Sequence, residues 1–144
     1  MGNFFIEIWA NNLNLATLIT HHFSIHTTMT VYGIPNCNTV KKALDWLKAN
    51  QVEFEFHDFK KKGVTAEKLE EWFAVFGWEK VINKNGLTFK KLSKEEQTAI
   101  NSAEKVIDYL LLNTSAIKRP VIEKDGKAIT IGFDEESFRS KIKS

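Results

Sequence analysis

The spacing of apolar and polar positions changes period along this chain, and each change marks an element. Thr30 to Ile34 reads as a short strand stopped by Pro35. Val40, Ala43, Leu44 and Leu47 then recur at helical spacing and predict a helix over Asn38 to Ala49. Asn36 or Asn38 is the expected N-cap, because a short amide side chain can accept a free N–H of the first turn. Val52, Phe54 and Phe56 alternate with Glu53, Glu55 and His57, which predicts a second strand with one buried face. Strand, helix and strand joined so tightly form a right-handed unit, so the two strands should run parallel.

Lys60, Lys61, Lys62 and Gly63 read as a basic, solvated turn closing that strand. Thr65 is placed to cap a helix whose apolar stripe is Leu69, Trp72, Phe73 and Phe76, with Gly77 at its end. Trp78 to Asn83 reads as a further short turn of helix. Lys84 to Gly86 reads as a loop, and Leu87, Phe89 and Leu92 follow at alternate or near-alternate spacing. Ser93 and Glu96 match a capping box. Ser102 opens another helix, with Ala103, Val106, Ile107 and Leu110 on one face. The Asp125–Gly126 pair between two apolar runs predicts a hairpin, so the third and fourth strands should be antiparallel. Asp134 caps a last helix with Phe138 and Ile142 facing inward. The resulting order is β-α-β, a helical block, then β-β-α. That predicts an α/β, thioredoxin-like fold: a four-stranded mixed sheet with an inserted helical block.

Composition narrows the picture only slightly. A chain of 144 residues with 43% hydrophobic and 26% charged residues suits one compact domain. A net charge of +2 gives no push toward nucleic acid or membrane, and neither is expected as a partner. The single cysteine excludes an internal disulfide and suits a reducing, cytoplasmic location. Residues 1–28 differ from the rest: they hold no Lys or Arg, and Glu7 is their only charge. They lack the basic start and unbroken apolar core of a secretory signal. The expectation is an N-terminal extension outside the domain at 29–144, with Met29 as the natural start. His21, His22 and His26 invite a metal reading, but no Cys or carboxylate clusters beside them, so no metal is expected.

The candidate chemistry sits at Cys37. The predicted strand ends before Pro35 and the helix starts just after Asn36, so the cysteine lies beyond the carboxyl end of a parallel strand, where open α/β sheets hold their sites. A helix start favours a thiolate over a thiol and can lower a cysteine pKa from about 8.5 into the range of about 3.5 to 7.5. At a pKa of about 6, the thiolate fraction at neutral pH rises from about 3% to about 90%, while intrinsic nucleophilicity falls roughly tenfold. The larger benefit is a better leaving group, so a mixed disulfide at Cys37 resolves quickly. Arg119 precedes Pro120 at the start of the third strand, which this topology sets beside the first. There it can hold an anionic sulfur or oxyanion by paired hydrogen bonds.

Tyr32 to Ala43, Gly77–Trp78, Asn83 to Gly86, Lys91–Leu92 and Ile117 to Val121 occur in an order that resembles the arsenate reductase-like (ArsC/Spx/YffB) family, closest to its YffB-type branch. The resemblance runs from about Met29 to the C-terminus and implies the thioredoxin-like fold read above. It implies that Cys37 is the catalytic cysteine and Arg119 the arginine before a cis proline, Pro120. Arsenate reductases of this family add two further arginines, and the matching positions here hold Asn83 and Gly132. The chain has only Arg119 and Arg139, so a clamp of three arginines cannot be built. Lysine does not reproduce the bidentate fork.

The leading expectation is therefore a glutathione-dependent thiol-disulfide oxidoreductase with one catalytic cysteine. It binds no cofactor tightly and takes glutathione as co-substrate, with glutathione or another small thiol, or glutaredoxin, as partner. Cys37 and Arg119 are the expected catalytic residues. Asn36, Asn38, Thr39, Asn83, Lys84, Lys91 and Pro120 are the expected substrate- and glutathione-binding residues. Arsenate reduction is the alternative enzymatic reading. A regulator that binds RNA polymerase, as the Spx branch does, is the alternative of another class. That branch usually carries a Cys-x-x-Cys switch, and here Val40 stands where the second cysteine would be.

Overall fold

A computed structural model describes residues 26–144. His21, His22 and most of the expected N-terminal extension lie outside the described residues. The sheet has four strands in the order β2-β1-β3-β4. These are β1 (Met29–Gly33), β2 (Glu55–Asp58), β3 (Val121–Lys124) and β4 (Lys127–Ile131). β1 runs parallel to β2 and antiparallel to β3, and β3 to β4 is antiparallel, as the sequence pattern implied. The hairpin turn carries positive φ at both Asp125 (52°) and Gly126 (77°), the backbone that a tight two-residue connection requires.

Alternation along β1 sends its side chains to two cores. Met29 and Val31 join Ala43, Trp46 and Leu47 of α1 (Asn38–Ala49) and Phe138 and Ile142 of the last helix. Ile34, just past β1, and the partly buried Tyr32 join the helical block on the other face, around Leu69, Trp72, Val106 and Leu110. Gly33 matters to the first core's geometry. A Cβ there would lie 2.9 Å from Val40 Cγ2, so glycine lets the start of α1 come down onto the strand end.

The helical block comprises α2 (Phe59–Lys62), α3 (Ala66–Phe76), α4 (Trp78–Val81), α5 (Leu87–Lys90), α6 (Lys94–Ala99) and α7 (Ala103–Leu112). The chain ends in α8 (Glu135–Ile142). The caps at Thr65, Ser93, Ser102 and Asp134 form as their sequences predict, including the reciprocal capping box of Ser93 and Glu96. Three expectations need correction. The second strand begins only at Glu55, because the alternating Val52 and Phe54 have no partner strand. Lys60 to Lys62 belong to a short helix, since Asp58 accepts the Lys60 N–H at 2.8 Å and Phe59 is buried as an anchor. Leu87 and Phe89 sit on a helical turn: Phe89 enters the core while Leu87 stays exposed.

Buried between sheet and helical block, Glu123 of β3 is only 2% exposed. It accepts the Trp72 Nε1–H at 2.8 Å and the Tyr32 O–H at 3.1 Å, and pairs with Lys68 Nζ at 3.2 Å. A carboxylate so satisfied can be buried. Its cross-links tie β1, β3 and α3 together. Burial and the Glu123 charge push the Tyr32 phenol up to about 12.

Candidate active site

Cys37 is itself the N-cap of α1, with φ −132° and ψ 123°, and its carbonyl accepts the Lys41 N–H at 2.9 Å. This corrects the expectation of an asparagine cap. The N-cap side chain normally supplies the acceptor for the second and third helical N–H groups. Here Sγ stands at that position without a side-chain cap hydrogen bond, and the groups it faces belong to Thr39 and Val40. Partial burial pushes the thiol up. The Val40 N–H, the Arg119 side chain and its charge, and the Thr39 N–H outweigh it, so Cys37 lies below the ordinary cysteine value.

Arg119 is fixed from behind. Its Nη1–H donates to the Ser115 carbonyl at 2.7 Å and to the Ile117 carbonyl at 3.3 Å. Its Nε is buried and has no hydrogen-bond partner among the described residues. The guanidinium helps hold the Cys37 thiol down, as a donor first and as a charge second. The Arg119–Pro120 peptide bond is cis, and the Pro120 carbonyl accepts the Gly132 N–H at 2.8 Å.

Two further backbone bonds gather the cleft. Lys118 N–H donates to the Val81 carbonyl and Asn83 N–H to the Ala116 carbonyl, each at 2.7 Å. They pin the end of α4 to the segment before β3 and carry Asn83 to the site. The resulting cleft of about 500 Å³ is lined by Cys37, Thr39, Asn83 and Arg119, together with Lys118 and the stretch from Ile131 to Asp134.

Of the expected residues, Cys37, Thr39, Asn83 and Arg119 come together. Pro120 is buried and does not line the cleft. Asn36 and Asn38 flank the thiol in sequence but are exposed and do not line the cleft. The same is true of Lys91, at the end of α5. Lys84 turns away, its Nζ 5.2 Å from the centroid of the Trp78 ring. Lys118, Phe133 and Asp134 were not anticipated as lining residues. The hairpin register held the signal: Ile131 pairs with Val121, so whatever follows β4 returns beside Pro120. Among the described residues no three His, Cys, Asp or Glu side chains gather as a metal site. No helix among them is long and apolar enough to cross a membrane.

A mixed sheet with this order, a cysteine capping its first helix and a cis proline at the start of the facing strand define a thioredoxin-like protein with one thiol at its site. More narrowly, the chain belongs to the ArsC family, whose profile matches residues 32–140. An uncharacterized protein of Haemophilus influenzae is 38% identical over 112 residues, covering 78% of this chain and 96% of that one. The solved YFFB (PA3664) protein is also 38% identical, with a TM-score of 0.73, covering 78% of this chain and 97% of its own. The global transcriptional regulator Spx of Streptococcus pyogenes is 30% identical over 115 residues, covering 78% of this chain and 83% of that one.

Proposed function

We propose that this ArsC-family protein is a glutathione-dependent thiol-disulfide oxidoreductase working through Cys37 alone. The observation that supports this most is the cleft itself: an N-cap thiol held below its ordinary pKa, with a buried-backed arginine beside it. Cys37 thiolate attacks the glutathione sulfur of a mixed disulfide, RS–SG. The S–S bond breaks, RS⁻ leaves with the electron pair, and Cys37–S–SG forms. A glutathione thiolate then attacks the glutathione sulfur of that adduct, releasing oxidised glutathione and restoring the Cys37 thiolate. The net exchange is RS–SG + GSH → RSH + GS–SG: one glutathione thiol is consumed, and its proton goes to the one thiol product.

The Val40 and Thr39 N–H groups help hold the thiol below its ordinary value, and Arg119 holds negative charge next to it. With one cysteine in the chain, the releasing thiol must come from outside. Arsenate reduction remains the second enzymatic reading through family membership. It is disfavoured by a cleft that holds one arginine and a carboxylate. The likeness to Spx supports a regulator bound to RNA polymerase as the reading from another class.

The test is the rate of Cys37 alkylation against pH, followed by intact mass after exposure to oxidised glutathione. We expect a midpoint below the ordinary cysteine value and a single adduct, absent in Cys37→Ser. An ordinary midpoint with no adduct would falsify the proposal. Arsenate turnover with glutathione and glutaredoxin, or capture of RNA polymerase, would favour the other readings.

A further inference from the structure

We infer that Lys118 and Asp134 make the Cys37 cleft selective for a zwitterionic peptide thiol, Asp134 taking its ammonium and Lys118 a carboxylate. This rests on the glutathione reading above and specifies which groups of the ligand are recognised.

Both residues line the cleft that holds Cys37 and Arg119, yet they come from opposite ends of the β3–β4 hairpin. Lys118 is tied at its backbone to Val81, and its stem runs past Gly132: a Cβ at that position would lie 3.5 Å from Lys118 Cε. Asp134 is fixed by its own helix. Its Oδ2 accepts the Ser137 N–H at 2.8 Å, which leaves Oδ1 for a ligand. Among the described residues neither side chain has a salt-bridge partner, so the two charges are not spent on each other.

A cleft lined by two cations and a carboxylate suits a ligand of mixed charge. A tetrahedral oxyanion gains from Lys118 and Arg119 but is repelled by Asp134. An uncharged thiol gains from none of them. Glutathione carries its thiol between an end with an ammonium and a carboxylate and an end with a second carboxylate. A volume of about 500 Å³ is in the range of small-molecule sites.

The experiment compares second-order rates of Cys37 modification by oxidised glutathione and by uncharged 2-hydroxyethyl disulfide, read by intact mass. In each case Cys37 thiolate attacks one sulfur of the disulfide and the other leaves as thiolate. The readout is the ratio of the two rates, which cancels any general effect on the thiol or the fold. Asp134→Asn keeps an N-cap acceptor while removing the charge. It and Lys118→Gln should each lower the ratio about threefold, the effect of one exposed ion pair. The disulfide of des-amino glutathione, which lacks the ammonium, should make the ratio insensitive to Asp134→Asn. A ratio unmoved by both substitutions overturns the inference alone and leaves the glutathione reading standing. So does an Asp134→Asn effect equally large with the des-amino disulfide. No adduct from either disulfide overturns both.

Discussion

At the scale of single residues, Cys37 stands where a helix needs an acceptor. Asparagine outranks cysteine as a cap, so local propensity pointed to Asn36 or Asn38, and the structure set the sulfur there instead. A thiol below its ordinary pKa stays ionised further into acid. The linkage has a definite sign. The native state gains stability above the unfolded cysteine value of about 8.5, and that gain is lost as pH falls through the native value. The stability difference between this protein and Cys37→Ser, measured by urea unfolding, should therefore grow as pH rises toward the unfolded cysteine value of about 8.5. Arg119→Gln should move the alkylation midpoint upward, toward the ordinary value, since burial would then be less opposed. It should also cost about 1–3 kcal/mol, because the Ser115 and Ile117 carbonyls lose a charged donor. Arg119→Lys should restore the charge but not the fixed fork.

Between elements, the buried Glu123 is the tie that holds β1, β3 and α3 in one arrangement. Glu123→Ala would leave the Trp72 N–H and the Tyr32 O–H without their acceptor and Lys68 without its buried partner. A loss of about 3 kcal/mol is expected by chemical denaturation. The same contact makes Tyr32 a reporter. Its phenol is raised by burial first and by Glu123 second, to about 12, so its ionisation opposes folding. That contribution is intact below about 10, the unfolded value, and is lost as pH rises toward 12. Absorbance titration of the phenolates should show Tyr32 ionising late in the native protein and near the ordinary value after unfolding. None of this was legible in the sequence, where nothing sets Glu123 apart from the other carboxylates. A buried carboxylate becomes visible only once the partners that satisfy it are known. The capped helices were legible for the opposite reason: Thr65, Ser93, Ser102 and Asp134 each bond within four residues.

At the scale of the whole molecule, one face of the sheet carries the helical block and, among the described residues, the other carries only α1 and α8. The thinner side depends on few large side chains. Phe138 is fully buried and meets Trp46 and Phe133 edge-on, with ring centroids 5.3 and 5.0 Å apart. Phe138→Ala should cost about 3–5 kcal/mol. Thermal unfolding should detect it as a lower midpoint. The element order was readable from period and caps, because each strand and helix announces itself over a few residues. The cleft was only half readable. Cys37 and Arg119 stand out in the sequence, whereas Lys118 and Asp134 reach the cleft through a hairpin that brings the end of β4 back to Pro120.

The solitary thiol has a consequence for how such a protein would sense its surroundings. Exchange of Cys37 with oxidised glutathione would release one glutathione for each adduct formed. The modified fraction then follows the ratio of oxidised to reduced glutathione, each to the first power. A pair of thiols closing a disulfide releases two, and its oxidation depends on the square of the reduced concentration. Diluting the whole pool would push such a pair toward oxidation and leave Cys37 where it was. Under the proposed function, one thiol would register the balance of a thiol pool and ignore its size.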